Sequence, residues 1–277
     1  MGRPGSALEP EPDLVVIGGG AGGLAAARAG ARRGARTLLV QQGPLGGDCT
    51  FSGWVPSKAL IEAAARGAGF TEAISATHAA VEAVAAAEND DVLAREGVEV
   101  LHAWATLGSG RQVDVDGTTL CLRNVIVATG ACPAVPPIPG LDELDYLTNE
   151  NVFELDAPPQ SLAVLGGGAI GCELAQAFHR LGVRVTLVEG LDHLLPREEP
   201  EAARVITTVL GREGVDVRTE SKVTRAEPLD RKDAARLHLA AERRSRPTGC
   251  SSPWDAAPTR TTWAWTRPAC RRSGGSS

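Results

Sequence analysis

Four short, mostly apolar runs, Leu14–Ile17, Thr37–Val40, Leu162–Leu165 and Arg184–Val188, have the look of strands buried in parallel sheets. Within each pair the runs are joined by an Ala-rich stretch with helical spacing, reaching to about Gly34 in the first and about Leu181 in the second. From Lys58 to about Glu96 the chain is rich in Ala and Glu, with apolar residues spaced for two amphipathic helices that keep a solvated face. Between Val98 and Val127 the period changes. Short alternating runs broken by Gly108-Ser109-Gly110 and Asp116-Gly117 predict a small antiparallel meander. After Pro200 a helix to about Arg212 and a short strand Val215–Arg218 are expected. From about Ala240 the apolar period disappears into Arg, Ser, Thr, Pro and Trp, the composition of an irregular tail. The expected fold class is α/β, with two Rossmann-like βαβ units, a small meander and a tail.

Glycines say what the βαβ units are for. Gly18-x-Gly20-x-x-Gly23 follows the first strand, and Gly166-x-Gly168-x-x-Gly171 follows the third. At this spacing the first glycine turns the chain, the second lets backbone approach a pyrophosphate, and the third lets helix pack on strand. The helix N-terminus then faces the phosphates. The separation of Gly18 from Gln41 equals that of Gly166 from Glu189, so the two are copies of one dinucleotide-binding unit. The acidic residue that should end the second strand and hold ribose hydroxyls is replaced in the first copy by Gln41, which accepts hydrogen bonds without charge. Glu189 keeps that role in the second copy and would repel a 2′-phosphate, which favours NAD(H) over NADP(H).

A length of 277 residues allows two domains. The proline-rich connector Pro133–Pro139 sets the boundary: a first domain over 1–140, a second over 141–240, and a tail over 241–277. A net charge of −6, with no long basic block, argues against nucleic acid. Six irregularly placed cysteines form neither metal-binding spacing nor a secreted framework, and fit a reduced cytoplasm. Met1–Asp13 lacks the apolar core of a signal peptide, and no apolar run is long enough to span a membrane. His78 and His102 stand alone at the level of spacing and are given no role.

One stretch carries chemistry: Gly46-Gly47-Asp48-Cys49-Thr50-Phe51-Ser52-Gly53-Trp54-Val55-Pro56-Ser57-Lys58. Pro56 should set a turn and Ser57 should cap the helix after it. Read by itself, Cys49 is either a thiol whose ionisation is favoured by a helix N-terminus or a small buried hydrophobe. The stretch resembles the active-site helix of the flavoprotein disulfide reductases, the class I pyridine nucleotide-disulfide oxidoreductases, among them dihydrolipoamide dehydrogenase, glutathione reductase and mercuric reductase. Their pattern is Gly-Gly-x-Cys-x4-Cys-x-Pro-Ser-Lys, and the Gly-Gly-Asp-Cys-Thr variant looks most like the mercuric reductase and dihydrolipoamide dehydrogenase branch.

The resemblance implies FAD on the first unit and NAD(P)H on the second, with Gly47 and the Ala128-Thr129-Gly130 strand end beside the flavin. It matches Cys49 to the thiol that exchanges with a disulfide substrate, and Glu173 to the glutamate that pairs with the Pro-Ser-Lys lysine, Lys58. Without the resemblance, Lys58 and Glu173 would be ordinary helical charges. In such enzymes NADH reduces FAD, the flavin reduces the cysteine pair, and a homodimer completes the site. The second cysteine falls on position 54, which is Trp54, so no intrachain redox disulfide can form there. The expectation is therefore a flavin-dependent NAD(P)H oxidoreductase of this family, impaired because position 54 is Trp and the dimerisation domain is absent; the alternatives are an enzyme that passes electrons to an acceptor other than a disulfide, and a non-catalytic nucleotide-binding module or gene remnant.

The later parts of the family pattern, the return strand of the flavin domain and the interface domain, are not found after residue 240. Tryptophan has a single codon, so the neighbouring frame around Trp254, Trp263 and Trp265 is nearly fixed, and it reads Gly, Gly and Asp. Continued from Gly249, that frame permits a run similar to the family's strand ending the nicotinamide domain. The tail is accordingly expected to be a frameshift product beginning between Ala240 and Pro247.

Overall fold

In a computed structural model, residues 11–229 and 234–240 are described in full, and residues 260–264 by their backbone. The chain divides into two units, one of residues 1–56 and 78–130, the other of residues 57–77 and 131–277.

The first unit is built on a four-stranded parallel sheet of β1 (Leu14–Ile17), β2 (Thr37–Gln41), β3 (Val98–His102) and β7 (Val125–Val127), in the order β3-β2-β1-β7. Helix α1 (Ala21–Arg32) crosses from β1 to β2, and α2 (Gly47–Phe51), α3 (Trp54–Ala65), α4 (Phe70–Ala85) and α5 (Asp90–Arg95) lie in the chain between β2 and β3. Strand alternation divides the core. Val16 and Leu39 pack with Leu24 and Ala27 of α1, while Val15, Ile17, Leu38 and Val40 pack with Val113, Val115 and Leu120 of the meander. That meander is β4 (Ala105–Leu107), β5 (Gln112–Val115) and β6 (Thr118–Cys121), all antiparallel. It is shorter than the alternation suggested. Val98–His102 and Val125–Val127 belong instead to the parallel sheet, because a helical crossover returns the chain to the sheet before the meander begins.

A second departure concerns the cysteine stretch. Helix α3 begins at Trp54, so Pro56 and Ser57 lie inside its first turn, and Ser57 is buried there. The first turn of a helix does not need the N–H that proline lacks, so Pro56 starts this helix and does not delay it.

In the second unit β8 (Ser161–Leu165), β9 (Arg184–Val188) and β10 (Asp216–Arg218) form a parallel sheet with α6 (Ala169–Arg180) and α7 (Pro200–Glu213) as crossovers. A hairpin follows, β11 (Val223–Pro228) with β12 (Ala235–Leu239). Leu60, Ala63, Phe70 and Ile74 join the core formed by Leu174, Phe178, Leu187 and Leu210. Phe178 is fully buried, with its ring 6.2 Å from that of Phe70. Truncating such a side chain costs about 3–5 kcal/mol.

The 241–277 segment lies outside the described residues except for β13 (Arg260–Ala264), which pairs in parallel with β8. A strand here corrects the expectation of a wholly irregular tail. The Thr-Thr-Trp sequence has strand propensity, and β8 offers it an edge.

Candidate nucleotide sites and the cysteine helix

In the first unit, β1 runs into Gly18, whose φ is +104° and whose N–H donates to Val40 O at 2.8 Å. A Cβ at Gly18 would run into Ala128 O and Thr129 Cα, and one at Gly23 would run into Gly18 O. Only glycine allows α1 to pack this tightly. Gly20 ends the turn as N-cap of α1 with extended backbone, no side-chain cap and no acidic residue in the first turn. Its helix therefore begins with N–H groups that no side chain satisfies, the arrangement that receives phosphate.

The other residues expected at this site gather at the same sheet end. Gly47, at φ +60°, stands over Gly20 so closely that a Cβ would be 2.8 Å from Gly20 Cα, and Gly20 and Gly46 form a parallel bridge. Thr129 and Gly130 follow β7 beside Gly18, and Gly130 lies near the Asp48 carboxylate. At the end of β2, Gln41 Oε1 accepts from Gly19 N–H at 2.6 Å, and Nε2 donates to Gln42 O at 2.8 Å and Pro44 O at 3.1 Å. Both amide protons are thereby spent on the loop.

The second unit repeats this geometry. Gly166 has φ +104°, its N–H donates to Val188 O at 2.8 Å, and a Cβ at Gly171 would run into Gly166 O. Gly168 caps α6 with no side-chain cap, and the space where its Cβ would stand is empty. Glu189 Oε2 accepts from Gly167 N–H at 2.7 Å and Oε1 from Leu191 N–H at 2.8 Å, which holds a carboxylate where Gln41 holds an amide. Beside it a cavity of about 580 Å³ is lined by Pro137, Ile138, Leu165, Gly166, Val188, Gly190 and Lys222. The uncapped helix starts, the open space at Gly168 and the placement of Glu189 fit a dinucleotide at each glycine turn.

Cys49 sits exposed in the short helix α2 of the first unit. Gly53 lets the chain double back, since a Cβ there would be 2.7 Å from Asp48 O. Trp54 follows, with 71% of its surface exposed. In the second unit, Lys58 Nζ lies 2.5 Å from Glu173 Oε1, an ion pair between helices α3 and α6 that leaves both side chains partly exposed. One residue earlier on α6, the buried Cys172 thiol is pushed up to about 12 by desolvation, then by the negative charges of Glu189 and Glu173. It is a packed thiol at neutral pH, unsuited to exchange.

Spacing did not single out His102. Its Nδ1 lies 3.2 Å from Gly43 O and its Nε2 2.9 Å from Asp90 Oδ2, so the ring ties the loop after Gln41 to α5. No spacing in the sequence signals this contact, because it depends on the pairing of β3 with β2.

Two glycine turns of this kind, one at each parallel sheet, are the arrangement of a protein class that takes two dinucleotides. The family model described as pyridine nucleotide-disulphide oxidoreductase matches residues 12–246, and the chain belongs to that family of FAD- and NAD(P)H-dependent oxidoreductases. Among curated relatives it is 38% identical over 234 residues to the mercuric reductase of Streptomyces lividans, covering 76% of this chain and 49% of that protein. It is 32% identical over 222 residues to the glutathione reductase of Burkholderia cepacia, covering 74% and 49%. Among solved structures, the Cu(II) complex of the HOCl-induced flavoprotein disulfide reductase RclA from Escherichia coli superposes with a TM-score of 0.80 at 27% identity, over 94% of this chain and 57% of that one. The chain spans about half the length of the curated relatives it matches. Among the described residues no helix is long and apolar enough to cross a membrane.

Proposed function

We propose that the first unit holds FAD, the second holds NADH, and the chain catalyses NADH-dependent flavin reduction without onward transfer to a disulfide. The observation that carries this reading is the duplicated glycine turn with an uncapped helix start, which supports one dinucleotide per unit. When bound, FAD supplies the hydride acceptor. The protein's own groups do the rest. Backbone N–H groups of α1 and α6 hold pyrophosphates, and Gly18, Gly23, Gly166 and Gly171 keep the backbone close enough for them to do so. Glu189, held by Gly167 and Leu191 N–H groups, accepts from the ribose hydroxyls of NADH and repels the 2′-phosphate of NADPH. Gln41 offers the ribose of FAD an uncharged oxygen already shared with Gly19 N–H, so FAD is held less firmly than by a carboxylate.

From the resemblance, Lys58 and Glu173 are proposed as a charged pair that acts on the flavin, and Cys49 as the thiol that exchanges with a disulfide substrate. Passage of electrons to a disulfide requires a second thiol at position 54. Trp54 supplies none, so Cys49 alone can form a mixed disulfide but cannot be regenerated by internal exchange. The disulfide substrate and the homodimer implied by the resemblance are proposals for a whole protein of the relatives' length. The second reading, a nucleotide-binding module without catalysis, is favoured by one observation, the diversion of both Gln41 amide protons into the loop.

Purification with added FAD followed by anaerobic NADH separates the two. A yellow protein bleached by NADH and far more slowly by NADPH is the expected result. A colourless protein that binds NADH would overturn the oxidoreductase reading and leave the module.

A further inference from the structure

A dinucleotide on the first unit has its adenosine ribose at the residue ending β2, Gln41, and its pyrophosphate at the turn that follows β1. The base must then continue away from β1, toward the neighbour of β2 on the other side, β3. The end of β3 is tied to Gln41 directly. Gln41 is paired with His102, and Ala103 N–H donates to Gln41 O at 3.1 Å. Burial alternates over the next residues, His102 exposed, Ala103 buried against the meander and Trp104 59% exposed. Trp104 lies beyond the bend at Ala103, outside β3, with its side chain exposed. Its backbone is fixed in both directions, its N–H donating to Asp116 Oδ1 at 3.1 Å and its O accepting from Asp116 N–H at 3.2 Å. The loop opposite is fixed as well, through the His102 contact to Gly43 O.

An exposed tryptophan by itself means little. One whose backbone is held one residue past the bond to Gln41, where the base must emerge, offers a stacking surface. We infer that Trp104 stacks against the adenine of FAD and offsets the charge missing at Gln41. This rests on the reading that the first unit holds FAD. Any purine base presents a π-face to such a ring, so the contact needs no hydrogen-bond pattern.

The test is titration of the flavin-free protein with FAD and with FMN, which lacks the adenosine. Trp104→Ala and Trp104→Leu should each weaken FAD about ten-fold, Trp104→Phe should restore most of that, and FMN affinity should not move. Melting of the flavin-free variants should match the unsubstituted chain, since the ring is exposed. Equal FAD affinity in Trp104→Ala, or a Trp104→Leu as good as Trp104→Phe, would overturn the stacking role. Absence of FAD binding by the unsubstituted chain would instead overturn the underlying reading, and the stacking role with it.

Discussion

The two glycine turns are nearly superposable in what they do, yet they end in different readers. Gly18 and Gly166 share a φ of +104°, Gly19 N–H and Gly167 N–H each donate to the side chain ending the next strand, and α1 and α6 begin without caps. The side chain is Gln41 in one and Glu189 in the other. Glycine positions are dictated by backbone approach, which tolerates no alternative. On the proposed reading the residue after the strand answers to its ligand, so two such scaffolds would hold different cofactors at different strengths.

The largest effect expected lies in the helix that follows the first turn. Trp54→Cys should allow an oxidised pair with Cys49, lowering the accessible thiol count in a way NADH reverses on the FAD-loaded protein. Reduction of a small aromatic disulfide should rise about a hundred-fold over background, and adding Cys49→Ser should abolish the gain. Thiol titration and the absorbance of the released thiolate measure both.

Next come the glycines. Gly23→Ala and Gly171→Ala drive a methyl into the carbonyl of the first glycine of each turn and should cost about 2–4 kcal/mol in urea unfolding. Gly168→Ala meets open space, so it should unfold like the unsubstituted chain while losing NADH affinity. If all three behaved alike, the distinction between packing glycines and ligand-approach glycines would fail.

Exchange of the readers sharpens the comparison further. Gln41→Glu should tighten FAD about ten-fold, and Glu189→Gln should weaken NADH by a similar factor while narrowing the gap to NADPH. Calorimetric titration gives all these affinities.

The smallest effect is in alkaline stability. The Cys172 thiol has a folded value of about 12 against an ordinary 9.0, so the native state holds its proton more firmly than the unfolded one. Its contribution is complete below about pH 9 and is lost as pH rises toward about 12. Cys172→Val should flatten that part of the stability profile, read by chemical unfolding across the alkaline range.

Much of this architecture was legible because it is local. The glycine spacing, the Ala-rich crossovers and the apolar runs reach no farther than one βαβ unit, and the strands formed where the runs lie. Errors arose where one pattern serves two structures. Val98-Glu99-Val100 alternates as meander strands do, but it pairs with β2 in parallel. Pro56 reads as a turn or as a first helical turn, and α3 uses the second. Contacts at long separation left no spacing to read. His102 meets Gly43 59 residues away, and Lys58 meets Glu173 115 residues away. The second of these was anticipated only through resemblance, the first by nothing.

In the proposed function, electrons from NADH reach FAD and stop there. Anaerobic titration of the FAD-loaded chain with NADH, followed by flavin absorbance and by thiol titration, tests that directly. Bleaching complete at a single NADH equivalent per flavin, with the accessible thiol count unchanged, is the predicted result. Uptake of a second equivalent with new thiols appearing would contradict it, because it would mean that a redox-active disulfide forms in spite of Trp54.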